Sequence, residues 1–230
     1  GAEDALRGSM PQVHLDIRSA HGKERQVSFP LSETACVLFH AEVLSPDASD
    51  WLLLGKAIGL VSLPVDHVLM FVLNTEGEPE ISRLAQLEED SLQALVMANE
   101  QLSDQHMADV QRLTGLKSLT IVSSQIGDAS LPYVLKCRNL EQLVLGNTAV
   151  TDQGVGLIRD ALPRLTVLGF FGCANLTDRS IETFSGLSQL TLLDITGTSI
   201  TEKGVKKLKQ LLPDCLIRSD YPMMSDNATE

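Results

Sequence analysis

Residues 140–150 read LEQLVLGNTAV, and this stretch decides the fold. The three residues Leu143, Val144 and Leu145 alternate with a period of two, which is typical of a short β-strand. Leu143 and Leu145 therefore face a core, whereas Val144 faces the other side of the strand. A polar turn follows, and Val150 returns the chain to the core. The stretch predicts one strand-and-turn unit that needs neighbours to bury its apolar side.

The same frame occurs five times between residues 92 and 200. Successive units begin 24, 24, 25 and 25 residues apart, and a constant period of this length predicts a stacked repeat array. Unit by unit, the apolar anchors are Leu92, Leu95, Met97 and Leu102; Leu116, Leu119, Ile121 and Ile126; Leu140, Leu143, Leu145 and Val150; Leu165, Leu168, Phe170 and Leu176; Leu190, Leu193, Ile195 and Ile200.

The frame resembles the leucine-rich-repeat pattern LxxLxLxx(N/C)xL over residues 92 to about 217. The segments GNTAVTDQGVGLI and TGTSITEKGVKKL resemble repeats common in bacterial proteins, planctomycetes especially. LTVLGFFGCANLTDRSI resembles the cysteine-containing subtype found in F-box proteins. The resemblance implies an α/β fold: a right-handed solenoid with parallel strands on its concave face, helices on its convex face, and an irregular N-terminal segment.

Each turn is followed by a predicted helix. The residues that recur at helical spacing and are expected to face the core are Val155, Ile158 and Leu162; Ile181, Phe184 and Leu187; Val205, Leu208 and Leu211. Hydroxyl side chains stand at the expected N-caps, Ser103, Thr151, Thr177 and Thr201. The acidic residue after each cap suits the positive end of the helix dipole: Asp104, Asp152, Asp178 and Glu202. Pro163 and Pro213 are expected to end their helices.

A second column of residues lies three positions beyond the last strand anchor. It consists of Ser124, Thr148, Cys173 and Thr198, with Glu100 as a misfit. Small polar side chains at this position can form hydrogen bonds to the backbone of the turns. Without these bonds, buried backbone groups of the turns would stay unpaired. Cys173 is therefore interpreted as a structural residue rather than a reactive nucleophile, since no basic or histidine side chain adjoins it in the sequence.

Five segments follow from this frame. VLMFVL at 68–73 is typical of a strand that seals the N-terminal edge of the array, and CLI at 215–217 resembles the start of a sixth strand. We predict a tag or disordered start at 1–10, and an N-terminal segment at 11–63 that forms either a small α/β unit or degenerate repeats. An N-terminal capping repeat is predicted at 64–91, the five repeats at 92–214, and a C-terminal cap and tail at 215–230.

Composition excludes several classes of partner. The net charge of −12 argues against binding nucleic acid or anionic lipid, both of which need a basic surface. The most continuously apolar stretch, 51–63, is too short to cross a bilayer and contains Lys56, so no membrane insertion is expected. The cysteines form no CxxC pair and are too few for a dense disulfide framework, which favours a reducing, cytoplasmic setting.

No catalytic pattern is found. The five histidines have none of the HxH, HxxxH or HExxH spacings, and the glycines form neither a P-loop nor GxGxxG or GxSxG. We therefore expect no metal, no cofactor, no catalytic residue and no enzymatic activity. The alternative from another class is an enzyme with a site in residues 11–90, near His40 or His67.

The predicted function is protein binding through the concave strand face. Its outward positions carry mainly small and apolar side chains, and contiguous exposed apolar area usually marks an interface. The expected partner-binding residues are Val96, Thr120, Val122, Val144, Val167, Phe171, Leu192 and Asp194, with Phe171 as the leading hot-spot candidate.

Other interpretations of this face remain open. The N-terminal segment of the chain itself can cover it, β-branched residues are common in strands anyway, and a homodimer is possible. A further alternative is the substrate-recognition arm of a larger assembly, such as an F-box-type ubiquitin ligase. No F-box is recognisable in the first 90 residues.

Overall fold

In the computed structural model of the chain, the described residues are 24–29, 36–41, 52–56, 59–64, 67–73, 84, 86–98, 100–122 and 125–221. The predicted tag or disordered start at 1–10 lies outside them, and so does Ser124 of the predicted polar column.

Parallel strands dominate the fold. The strands of the described ranges are β1 Glu24–Phe29, β2 Cys36–Ala41, β3 Leu52–Lys56, β4 Gly59–Pro64, β5 Val68–Leu73, β6 Ala94–Ala98, β7 Ser118–Val122, β8 Gln142–Gly146, β9 Val167–Gly169, β10 Leu192–Asp194 and β11 Leu216–Arg218. Nine of them form one sheet in the order β11-β10-β9-β8-β7-β6-β5-β2-β3, and β1 pairs with β4. Every neighbouring pair from β5 to β11 is parallel. Strand β2 runs antiparallel to both of its neighbours.

A helical segment follows each of the strands β6 to β10. The helices are α1 Met107–Val110, α2 Leu131–Val134, α3 Asp152–Ala161, α4 Ile181–Ser185 and α5 Glu202–Leu211. The short helices α1, α2 and α4 each continue from a 3₁₀ turn, at Asp104–His106, Asp128–Ser130 and Asp178–Ser180. Seven parallel strands that alternate with helices confirm the predicted α/β solenoid.

The predicted core is the observed core. All strand and turn anchors of the five repeats are buried, none of them more than 4% exposed. The largest buried side chains include Phe170 and Phe184, whose ring centroids lie 6.0 Å apart. Leu69 and Phe71 of β5 continue the same core toward the N-terminus. A repeat that has only one apolar side is thus buried by its neighbours along the array.

The helix starts also agree with the sequence. The hydroxyls of the N-cap residues accept hydrogen bonds from N–H groups of the first turn, Thr151 from Gln153, Thr177 from Arg179 and Thr201 from Gly204. The cap at Ser103 differs, because its own N–H donates to Nδ1 of His106 at 3.0 Å. Helices α3 and α5 end one residue before the leucine that precedes Pro163 and Pro213, respectively.

One predicted core residue is wrong. Leu211 is 39% exposed, and the buried residue at this end of α5 is Leu212, at 6%. The helix ends at Leu211, and the backbone of Leu212, with φ −126° and ψ 66°, leaves the helical region and turns the side chain inward. Leu162 has nearly the same conformation after α3 and is also buried. Leu211 and Leu212 lie three and four residues after Leu208, so helical spacing alone does not decide which of them is buried.

The first-turn aspartates join consecutive repeats. We call Asp104, Asp128, Asp152 and Asp178 the aspartate ladder. Asp104 accepts a hydrogen bond from the N–H of Gly127 at 2.8 Å. The other three accept from both the N–H and the hydroxyl of the threonine that caps the next helix, over 2.6–2.9 Å: Asp128 from Thr151, Asp152 from Thr177 and Asp178 from Thr201. Each carboxylate therefore fastens its own repeat to the following one.

The predicted polar column is confirmed at three of its positions. The hydroxyl of Thr148 donates to the carbonyl of Leu145 at 3.1 Å, and the hydroxyl of Thr198 donates to that of Ile195 at 2.8 Å. The thiol of Cys173 is fully buried and donates to the carbonyl of Leu145 at 2.8 Å. Cys173 is therefore a structural residue of this column. The misfit Glu100 lies exposed in its turn.

Candidate functional site

The sheet has a second face, formed by the side chains that alternate with the core anchors; of these, Ala94 is itself only 2% exposed. We call this second face the open strand face. Its members, on or just after each strand, are Val68, Met70 and Val72 (β5); Ala94, Val96 and Ala98 (β6); Ser118, Thr120 and Val122 (β7); Gln142, Val144 and Gly146 (β8); Val167, Gly169 and Phe171 (β9); Leu192, Asp194 and Thr196 (β10); Leu216 and Arg218 (β11).

The middle strands of this face carry no charge. The outward positions of β5 to β9, three on each strand, carry no ionisable side chain, and we call this region the aliphatic strip. The first charged groups are Asp194 on β10 and Arg218 on β11, which are register neighbours. The strip therefore stretches over five adjacent strands without a charge, in a protein whose net charge is −12.

Strand register brings the predicted binding residues together. Val96, Thr120 and Val144 are consecutive neighbours across β6, β7 and β8. The same row continues through Gly169 to Asp194. The remaining members flank this row on the same face: Val122, Val167, Phe171 and Leu192. All eight predicted residues thus lie on the open strand face, and each of them is half-buried.

Side chains of neighbouring strands pack closely against one another on the surface of the strip. The ring of Phe171 lies over Gly146, where a Cβ would overlap it. In the same way, a Cβ on Gly169 would lie 3.2 Å from a methyl of Val144. Two large side chains therefore fill the gaps that two glycines leave on neighbouring strands. The tip of the Phe171 ring packs against Gly146, which makes it a poorer isolated anchor than its size suggests.

Few polar groups interrupt the strip. The hydroxyl of Ser118 donates to Oε1 of Gln142 at 3.2 Å, so these two side chains partly satisfy each other. Beyond the strip, Oδ1 of Asp194 accepts from the N–H of Thr196 at 3.0 Å. What the strip offers a partner is chiefly apolar contact area.

Part of the strip was missed by sequence reasoning. Met70 and Val72 of β5 extend it by one strand, since they pair in register with Ala94 and Val96. The signal was hidden because every residue of VLMFVL is apolar, so alternation cannot show which side chains face the core.

Burial disfavours the thiolate form of two described cysteines. Burial raises the pKa of Cys137 to about 12, and its thiol donates to the carbonyl of Val110 at 3.6 Å. Burial also raises the pKa of the half-buried Cys215. Because the thiolate is the reactive form, a raised pKa lowers the reactivity of both groups.

Within the described ranges, no group of three or more His, Cys, Asp and Glu side chains could hold a metal ion. An open depression of about 430 Å³ lies on the acidic turn before β6, lined by Gln86, Leu87, Glu88, Glu89, Asp90 and Arg112. It contains neither a histidine nor a cysteine that could act as a base or nucleophile. His106 bonds to the N–H of Ser103 within its own turn, and His67 is half-buried.

None of the helices in the described part of the chain has the length and apolar character needed to span a bilayer.

Comparison with known proteins gives matches among solved structures alone. No protein-family model matches the chain, and no curated protein matches it at a significant level. It is similar to an internalin from Listeria monocytogenes, with 23% identity, a TM-score of 0.49, and coverage of 66% of this chain and 47% of the other. It is also similar to a leucine-rich-repeat protein from Leptospira interrogans, with 22% identity and a TM-score of 0.42. That match covers 64% of this chain and 36% of the other.

The chain thus spans less than half the length of either solved protein. Both TM-scores lie below 0.5, so the fold assignment rests on features of this chain itself. These are a repeat of 24 or 25 residues, seven parallel strands in chain order, and a buried leucine frame with a polar column behind it. By these features, the chain folds as a leucine-rich-repeat solenoid.

Proposed function

We propose that this protein is a non-catalytic module that binds a protein partner on its open strand face. The observation that carries the proposal is the aliphatic strip, in which five neighbouring strands present no ionisable side chain to solvent. Contiguous apolar area of this kind is uncommon on the surface of a monomeric protein and usually marks an interaction site.

The fold itself does not require these side chains. The core lies on the other face of the sheet, where the leucine anchors are buried. A polar β-branched residue, such as Thr120, suits the solvated side of a strand as well as valine does. A row such as Val72, Val96 and Val144 is well suited to a contact with a partner, since the described residues leave all three half-exposed.

The binding residues proposed on this basis are the eight predicted from the sequence, with Met70 and Val72 added from β5. Their central member is Val144, which lies between Thr120 and Gly169 in the row. The division of the chain into N-terminal segment, capping repeat, repeats and C-terminal cap stays a prediction, and so does the F-box-type alternative. The alternative enzyme site near His40 and His67 falls largely on side chains outside the described residues.

A pair of charge insertions in the same repeat tests the proposal. Val144→Arg places a cation in the middle of the strip. Leu157→Arg makes the same kind of change on α3, where the leucine is 46% exposed to solvent. The measurement is affinity capture from a lysate of the source organism with quantitative mass spectrometry, after circular dichroism has shown that both variants are folded.

We expect a partner that the native chain and Leu157→Arg both retain and that Val144→Arg loses. If all three proteins retain the same partners to the same extent, the open strand face is not the binding surface and the proposal is wrong.

A further inference from the structure

The chemistry and size of the aliphatic strip restrict what can occupy it. We propose, on the basis of the function proposed above, that the occupant is a single amphipathic α-helix of the partner, which lays an uncharged aliphatic stripe on the outward side chains of β5 to β9.

The first argument concerns backbone hydrogen bonds. Each strand under the strip is already paired on both sides, from β2 against β5 through to β10 against β9. The strip therefore has no free strand edge that could pair with an extended peptide. A peptide lying extended on these valines would bury N–H and C=O groups that have no hydrogen-bond partner. Each such group costs about 2 kcal/mol or more in an apolar contact.

A helix avoids this cost because its backbone groups bond to one another along the helix. The side chains of the strip offer few hydrogen-bond partners to the backbone of an extended peptide. Ser118 and Gln142 already bond to each other, and the remaining outward positions are chiefly valine, alanine, methionine, phenylalanine and glycine. An occupant of this surface must therefore satisfy its own backbone.

The second argument concerns area. Five strands about 4.8 Å apart, each with three outward residues, give a strip of roughly 19 by 13 Å, or about 250 Å² in plan. A stable protein–protein interface buries about 800 Å² on each partner. Two copies of this chain pressed together on the strip alone would fall far short of that, so the strip suits a small occupant that binds transiently. A helix about 10–12 Å across and three or four turns long matches the strip in both dimensions.

The third argument concerns charge. The strip ends at Asp194 and Arg218, so the uncharged surface is bounded on the C-terminal side. An amphipathic helix has the complementary pattern, since one stripe is apolar and the charged residues lie on the opposite side. A uniformly apolar segment would leave its outer side exposed to water, and a charged stripe would meet no counter-charge on the strip.

The test selects ligands without assuming their sequence. A displayed library of random 16-residue peptides is panned on the full chain, and binders are sorted by their affinity for Val144→Arg and Leu157→Arg. We expect enriched peptides whose apolar residues recur at i, i+3, i+4 and i+7, and which lose at least tenfold in affinity for Val144→Arg but not for Leu157→Arg. A proline placed at the centre of a synthetic representative should remove its binding.

Other outcomes overturn the proposal in distinguishable ways. If the enriched peptides show a period of two and tolerate the central proline, the occupant is not a helix, although binding on this face stands. If enriched peptides bind Val144→Arg as well as the native chain, or if none is enriched over that variant, the helix proposal is wrong, and the affinity capture described above decides separately whether the open strand face binds a partner.

Discussion

The aspartate ladder and the open strand face lie on the same repeats but are built in opposite ways. On the ladder, side-chain oxygens of one repeat accept hydrogen bonds from the next, as Asp152 does from Thr177 and Ser180. On the open strand face, neighbouring repeats meet mainly through apolar side chains such as Val144. A mutation on the ladder should therefore be felt as a loss of stability, whereas one on the face should leave the fold intact and change binding.

The largest expected effect comes from removing a ladder carboxylate. Asp152→Ala deletes hydrogen bonds from the N–H and the hydroxyl of Thr177 and from the hydroxyl of Ser180. Hydrogen bonds to charged groups contribute more than neutral ones, and the site is partly solvated, so we expect a loss of about 2 kcal/mol in the free energy of unfolding. Urea denaturation followed by circular dichroism measures it.

Asp160→Ala is the matched control for this variant. Asp160 lies on the same helix, and its described partner is the neighbouring Arg159, also exposed. Surface pairs of this kind contribute little to stability. Equal destabilisation by both changes would show that the ladder has no special role.

The same carboxylate predicts a dependence of stability on pH. Burial opposes the ionisation of Asp152, but hydrogen bonds from Ser180 and Thr177 outweigh it, so its pKa lies below the ordinary 3.8. A carboxylate whose pKa is lowered by folding stabilises the native state above its unfolded pKa, and this contribution disappears as pH falls through the folded pKa. The free energy of unfolding should therefore decrease from about pH 5 downward.

The variant Asp152→Asn isolates this contribution, because its side chain does not titrate. The difference in stability between the native chain and Asp152→Asn should shrink as pH decreases, measured by urea denaturation at several pH values. A difference that stays constant from pH 6 to pH 3 would contradict the assignment.

A smaller effect on stability is expected from alanine substitutions at two glycines of α3. A Cβ on Gly154 would overlap the carboxylate of Asp128 and lie 2.8 Å from a methyl of Leu131, whereas a Cβ on Gly156 would contact nothing within 4 Å. Alanine is favoured over glycine in a helix by about 1 kcal/mol. Gly156→Ala should therefore stabilise the protein by about 0.5–1 kcal/mol, and Gly154→Ala should destabilise it by about 1 kcal/mol because the clash exceeds the gain.

Thermal melting of the two variants checks this prediction, with the melting temperature rising for one and falling for the other. If both alanine substitutions raise the melting temperature, the side chain of Asp128 can move away from the added methyl group. The aspartate ladder would then not hold neighbouring repeats in a fixed position.

The smallest expected effect concerns the open strand face itself. Val144 is half-buried and Gly169 beside it leaves room for a longer side chain to turn away, so Val144→Arg should change the free energy of unfolding by less than about 1 kcal/mol. Urea denaturation under the same conditions measures it. A loss as large as that of Asp152→Ala would mean that the strip serves the fold, and the contrast between the two regions would disappear.

Much of the repeat architecture was predictable because its signals are local. The period of 24 or 25 residues, the inward leucines, the threonine caps and the prolines that follow the helices are each visible within one repeat. The outward position of Val144 follows from strand alternation alone. The binding role of that surface stays a prediction, since it depends on a partner that the chain does not encode.

Other features depend on contacts between repeats. The caps were predictable, but the acidic residues after them were expected only to interact with their own helix dipoles. Asp128 was not predicted at all, because Gly127 stands at its cap position. Leu211 was assigned to the core because both it and the buried Leu212 fit helical spacing after Leu208.

The sequence by itself therefore determined the solenoid, since each repeat carries its own alternation, turn and cap, and a constant period forces these units to stack. Only the tertiary structure decided which groups meet across repeats: the carboxylate of Asp128 on Thr151, the ring of Phe171 over Gly146, and the row that leads from Val72 to Asp194. The physical reason is register. These partners lie about one repeat apart in the chain, and their contact depends on how neighbouring strands and helices align.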